Sequence, residues 1–307
     1  MKLFIVRLFT VLFPIILLLI GWEILMRHAP HAFSYKRNVI MKNCRKNGKI
    51  MVLGSSHSYF GIKTDAIPNA YNLAFVSQNL SYDRFIFETF LSAPNQLEYV
   101  IVPISVFSFF DSVEDLEPWQ KGVYVRYWKY PADDFLDNFF IFANLPLQME
   151  QLKRMKKRIR RKGIPQAFDF TATGWGDDQV TLPRNELFAQ NAKTSANRHC
   201  AKNLQRISGF YEAEKIIALA QKNKIKVILF TPPAHKLYYD NLNPEQEKKM
   251  RELLAKLQQA NGVYYLDLLR SELFNDSDFG DADHLSEQGA EKLARILYQY
   301  TQQIPAI

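Results

Sequence analysis

The stretch KIMVLGSSHSYFGI, Lys49 to Ile62, decides how the chain is read. Ile50 to Leu53 is a short unbroken apolar run, the signature of a strand covered on both faces. It stops on Gly54-Ser55-Ser56-His57, where small polar groups meet the edge of a core. Either a tight turn or a nucleophile held at the strand's carboxyl end explains that composition. In open α/β sheets, ligands collect beyond the carboxyl ends of the strands.

Working outward, further runs have the same character. Ala70 to Phe75, Tyr99 to Ile104, Val227 to Phe230 and Val263 to Leu266 read as four more strands. Helical periodicity fills the intervals at about 81–91, 211–222, 244–260 and 287–302. Pro244 and Gly262 bracket the third of these in the usual manner of helix ends. Strands alternating with helices predict an α/β, flavodoxin-like three-layer sandwich with a mainly parallel sheet of about five strands. Residues from about 111 to 209 break the alternation and are expected as an insertion.

The N-terminus is of another kind. Leu8 to Trp22 carries no charge, and with its apolar flanks approaches the roughly 20 residues that cross a bilayer. No small-residue cleavage site follows, which favours a signal-anchor over a removed signal peptide. The expected organisation is an anchor over 1–28, a linker over 29–48 and one exported domain over 49–307. The protein is therefore expected at the cell membrane as a single-pass chain with its domain outside the cytoplasm.

Of the 307 residues 48% are hydrophobic and 14% aromatic, enough for a substantial core, so wholesale disorder is excluded. Two cysteines exclude a disulfide-built scaffold and leave open whether Cys44 and Cys200 are bridged. The formal net charge of +8 selects no partner by itself. The basic run from Lys153 to Lys162 suits a solvated face, anionic lipid or an acidic glycan or partner. An exported protein gives it no nucleic acid to meet.

A second polar cluster, Gly280-Asp-Ala-Asp-His-Leu-Ser286, precedes the last helix. To take a proton from a serine, an imidazole must be neutral and oriented by a partner on its other nitrogen. Asp281, three residues before His284, has the spacing to curl back onto the ring. Asp283, adjacent to His284, has the poorer geometry, and Ser286 suits the N-cap of the following helix.

GSS after the first strand and DxxHLS before the last helix together resemble the SGNH, or GDSL-like, hydrolase superfamily. That resemblance covers about 49–111 and 226–302. It implies Ser56 as nucleophile, His284 as base and Asp281 as its orienter. It also implies an oxyanion hole from the Ser56 backbone, a glycine after the second strand and an asparagine after the third. Here Ser77 and Ser105 stand in those regions, a departure that bears on rate, since one missing donor costs about 100- to 1,000-fold.

The anchor, GSSHSYFGI, VPISVFS and TPPAHKLYY further resemble exported SGNH-like proteins that accompany membrane-bound O-acyltransferases. This implies serine-dependent O-acyl (acetyl) transfer or ester hydrolysis on a cell-surface carbohydrate or acylated polysaccharide, with such a transferase as a partner. An inactive module that binds polysaccharide or assists the transferase is the alternative. His57, Trp175 and His235 are candidate substrate contacts, Trp175 by stacking on a sugar ring. The acids and histidines show no ligand spacing such as HExxH, so neither metal nor cofactor is expected.

Overall fold

The computed structural model describes residues 2–28, 31–116, 118–131, 168–179 and 181–305, with Met149, Lys153 and Lys156. The rest of the basic run expected to meet solvent or an acidic partner lies outside the described residues. The chain divides into two compact units, one of residues 1–35 with 116–168, the other of residues 36–115 with 169–307.

The second unit carries five strands: β1 (Ile50–Val52), β2 (Ala70–Asn72), β3 (Tyr99–Pro103), β4 (Lys226–Thr231) and β5 (Val263–Asp267). They pair in the order β2-β1-β3-β4-β5, every pair parallel. This is the flavodoxin-like order, whose switch point lies between β1 and β3. β1, β3 and β4 are buried along their whole length, as continuous apolar runs require when both sheet faces are covered.

Successive side chains on a strand point to opposite faces. Val52, Ile101, Ile228 and Phe230 join one core cluster with Leu293, Ala294 and Leu297 of the helix Glu287–Gln303. Met51, Val100 and Leu229, equally buried, serve the other face, where the helices Leu80–Leu91 and Ser208–Lys222 pack against each other. Asn79, Asn243 and Ser286 each cap a helix by accepting a first-turn backbone N–H.

Two stretches differ from the sequence expectation. Residues expected as linker instead form a π-helical turn (Lys36–Ile40) and a helix (Met41–Asn47) that bury Lys36, Ile40, Met41 and Cys44. The apolar stripe is too narrow to register as helical periodicity. The Lys36 amine donates to the Ala74 carbonyl at 2.5 Å and lies 4.4–5.2 Å from the ring centres of Phe75, Tyr59 and Phe170. Burial pushes its pKa well below the ordinary lysine value. Of the expected insertion, residues 169–209 belong to the α/β unit, including the helix Glu186–Arg198.

The first unit contains the helix Lys2–His28. Its segment Lys2–Ile24 has a mean hydropathy of 2.8 and is long and apolar enough to cross a membrane. Within the same unit, Arg126 pairs with Glu23 at 3.5 Å and His31 stacks on Tyr127 with ring centres 4.1 Å apart. Cys44 and Cys200 are both free thiols, the first buried and the second exposed.

Candidate functional site

The turn after β1 is built around Gly54. Its φ of +115° lies where side chains are rarely tolerated, and a Cβ there would stand 2.2 Å from Pro103 Cγ on the neighbouring strand. The Gly54 N–H donates to Asp83 Oδ1 at 2.7 Å, and the Gln78 amide donates to the same oxygen at 2.6 Å. The Gly54 carbonyl accepts from Phe75 N–H at 3.2 Å, so the turn is held from both sides. Burial pushes the Asp83 pKa up to about 7 against these two donors.

Ser55 then adopts an extended conformation and Ser56 opens a one-turn helix, Ser56–Tyr59. Asn72, at the end of β2, is fully buried and ties this helix to the next loop. Its amide donates to Ser58 O at 2.8 Å, and its side-chain oxygen accepts from Ala74 N–H at 3.0 Å. The half-buried Ser56 hydroxyl is thereby fixed at the carboxyl end of the central strands.

From the other end of the chain, the loop before the last helix folds back over this point. Asp281 Oδ1 accepts the His284 N–H at 2.8 Å and the Asp283 N–H at 3.0 Å, which curls 281–284 into a compact turn. Both Asp281 oxygens lie 3.0 Å from His284 Nδ1, and His284 Nε2 lies 2.8 Å from Ser56 Oγ. With Nδ1–H donating to Asp281, Nε2 is left as the acceptor for the serine hydroxyl. Burial opposes charge on His284, but the Asp283 and Asp281 carboxylates outweigh it and raise its pKa.

The other expected residues are placed differently. Ser77 sits in the loop after β2 with a left-handed φ of +60°. Ser105 is buried, and its N–H donates to Ser108 Oγ at 3.0 Å. Its hydroxyl shares a 2.7 Å hydrogen bond with His57 Nδ1, so it is engaged away from Ser56. Trp175 is only 6% exposed and donates its indole N–H to Phe60 O at 2.7 Å, a wall of the fold rather than an open platform. His235 caps the short helix Lys236–Tyr239 and meets Asp276 at 3.2 Å, between Phe188 and Phe279.

Asp283 is the residue that sequence reasoning undervalued. It is 2% exposed, and neither carboxylate oxygen has a hydrogen-bond partner. Around it lie His284 Nδ1 at 3.6 Å, His57 Nε2 at 3.7 Å, Arg198 at 3.7 Å and His199 Nδ1 at 3.9 Å. Burial would raise the Asp283 pKa, but neighbouring His284 holds the carboxyl well below its usual range. Burial lowers the pKa of His57, and that of His199 to about 3. Only the fold assembles this cluster, and no local spacing announces it.

The parallel sheet in this order, with serine after β1 and Asp-x-x-His before the last helix, is the arrangement that the sequence resemblance to SGNH/GDSL-like hydrolases implies. The chain belongs to the DUF1574 family, a family described as of unknown function, whose model matches residues 34–300. No curated protein matches the sequence. Solved structures with similarity include a GDSL-like lipase from Bacteroides thetaiotaomicron, 12% identical at a TM-score of 0.42, covering 88% of this chain and 98% of that one. Another, assigned as an acylhydrolase from Bacteroides fragilis, is 14% identical at a TM-score of 0.42, covering 88% and 97%. Similarity at this level bears on neither activity nor substrate.

Proposed function

We propose that this chain is a serine-dependent ester hydrolase or O-acyltransferase, anchored by its N-terminal helix with its α/β unit outside the cytoplasm. The observation that carries the reading is the unbroken string from Ser56 Oγ through His284 to Asp281, at 2.8 and 3.0 Å. His284 Nε2 takes the hydroxyl proton as Ser56 Oγ attacks an ester carbonyl. The resulting imidazolium returns that proton to the departing alcohol oxygen, leaving an acyl-serine. Water or a second hydroxyl, deprotonated by the same ring, then takes the acyl group. Asp281 holds the ring's orientation and favours its charged form in the transition state.

The Ser56 N–H lies in the first turn of its helix, where no intrahelical acceptor exists, and suits an oxyanion donor with the loop at Ser77. For the acyl acceptor or donor we propose an acetylated cell-surface carbohydrate, with a membrane-bound O-acyltransferase as partner. That finer part rests on the sequence resemblance of the anchor and the GSSHSYFGI, VPISVFS and TPPAHKLYY segments. Labelling with a fluorophosphonate tests the core of the reading: the native chain should be modified and Ser56→Ala should not. Equal labelling of both would sink it.

The competing reading, an inactive binding module, draws on Ser105, whose N–H and hydroxyl are both engaged elsewhere. It requires that the folded native chain resist the probe altogether.

A further inference from the structure

His57 Nε2 and both oxygens of Asp283 are buried and without hydrogen-bond partners, although His57 Nε2 lies 3.7 Å from Asp283 Oδ2. Buried polar atoms are almost always satisfied, and an unpaired carboxylate is among the costliest exceptions. A small cavity lined by His57, Ser105, Tyr238 and Asp283 adjoins them. Among the described residues, His57, Asp283 and His284 each offer one ligand atom, all within 4.8 Å of one another.

We propose that the space between His57, Asp283 and His284 binds a divalent transition-metal ion of the zinc class, and that filling it disables His284 as a base. Tetrahedral zinc with nitrogen and oxygen ligands places neighbouring ligand atoms about 3.4 Å apart. Here His57 Nε2 lies 3.7 Å from Asp283 Oδ2 and His284 Nδ1 3.6 Å from Oδ1. The ligand atoms of the three residues stand within 4.8 Å of one another, so the site closes by drawing both rings onto the carboxylate. The donors match the chemistry, since imidazole and carboxylate together suit zinc. Ser105 supplies the outer support: by accepting Nδ1–H of His57 at 2.7 Å, it leaves Nε2 as the free lone pair. Arg198 is a competing cation, but it stops 3.7 Å from Asp283 and its side chain is 62% exposed. Water, or an Asp281 oxygen released from its hydrogen bond, would take the fourth position.

The consequence for His284 follows from proton accounting. The neutral ring carries one proton, held on Nδ1 by Asp281. Coordination needs the Nδ1 lone pair, so that proton must move to Nε2, with none released overall. Nε2–H then faces Ser56 Oγ as a donor and can no longer accept the serine proton. Nothing in the linear spacing hints at the site, because its ligands come from opposite ends of the domain.

The metal-binding step does not depend on the esterase reading; the inhibition step does. The test uses the full chain in detergent micelles, stripped with chelator, with Cys200→Ser to remove the exposed thiol. Calorimetric titration with zinc should give one ion per chain, with affinity at least tenfold weaker in His57→Ala and Asp283→Asn. Absence of binding, or equal affinity in both variants, overturns the proposal. Should those variants misfold, nitrogen-15 histidine spectra of the native chain decide: zinc must move His57 Nε2 and His284 Nδ1, and unmoved signals overturn the site. Ester hydrolysis should fall as zinc is added and return with chelator; full turnover with one zinc bound overturns the capture of His284. Failed fluorophosphonate labelling, by contrast, would sink the esterase reading and leave the metal titration standing.

Discussion

Two serine–histidine–aspartate strings lie side by side in this domain, alike in their serine–histidine bond and different in the histidine–aspartate gap and in exposure. In Ser56–His284–Asp281 the gaps are 2.8 and 3.0 Å and all three residues are partly open to solvent. In Ser105–His57–Asp283 the serine bond is 2.7 Å, the histidine–aspartate gap is 3.7 Å, and every member is buried. The histidines respond oppositely: burial wins at His57 and lowers its pKa, whereas two flanking carboxylates win at His284 and raise it. Residue types alone therefore do not make a reactive serine. On the proposed reading, closure of both hydrogen bonds and partial exposure are what suit the first string, and not the second, to proton transfer.

The sharpest way to break this contrast is to remove each serine. Ser56→Ala should lower hydrolysis of an activated ester by about 10,000-fold or more, as loss of a triad nucleophile does. Ser105→Ala should cost less than about tenfold, with a stability loss of about 1 kcal/mol from its hydrogen bond. Comparable losses for the two would erase the distinction. A smaller difference separates the acids. Asp281→Asn should cost about 10,000-fold in kcat by disturbing the His284 tautomer, and Asp283→Asn at least ten times less. If Asp283→Asn were the more damaging, Asp283 would be the true orienter.

The smallest effect concerns Asp83, which holds the Gly54 turn ahead of Ser56. Asp83, with its pKa at about 7 in the fold, binds a proton over a range where the unfolded chain has released it. Its contribution is fully present below the unfolded carboxylate value near 4 and is lost as pH rises through about 7. Asp83→Asn keeps an oxygen for the Gly54 and Gln78 donors without the charge. It should gain stability over the native chain at pH 8 relative to pH 5 in denaturant titrations; an unchanged difference would refute the assignment.

Much of this was legible in the sequence for physical reasons that can be named. Buried parallel strands favour continuous apolar runs, so all five strands were visible, with ends displaced by one residue, or by three at β2. Leu53 shows why: it lies outside β1 but still donates its N–H to Ile101 O at 3.0 Å. Asp281 and His284 were legible because their contact is local. Asp283 was not, since adjacency to His284 told nothing of the pocket into which its side chain turns. Its neighbours His57, Arg198 and His199 arrive from elements distant in the chain. Trp175 misled in the opposite way: an aromatic in a glycine-rich loop resembles an exposed platform until packing is known.

Lys36 carries a consequence of a different kind. Its amine is enclosed by three aromatic rings and a carbonyl, and burial favours its neutral, nucleophilic form. Reagents in solution cannot reach it while the cage is shut, although once exposed it would behave as any surface lysine. Its rate of acylation therefore keeps time with the opening of the 36–75 neighbourhood, a built-in clock for local unfolding beside the turn at Gly54.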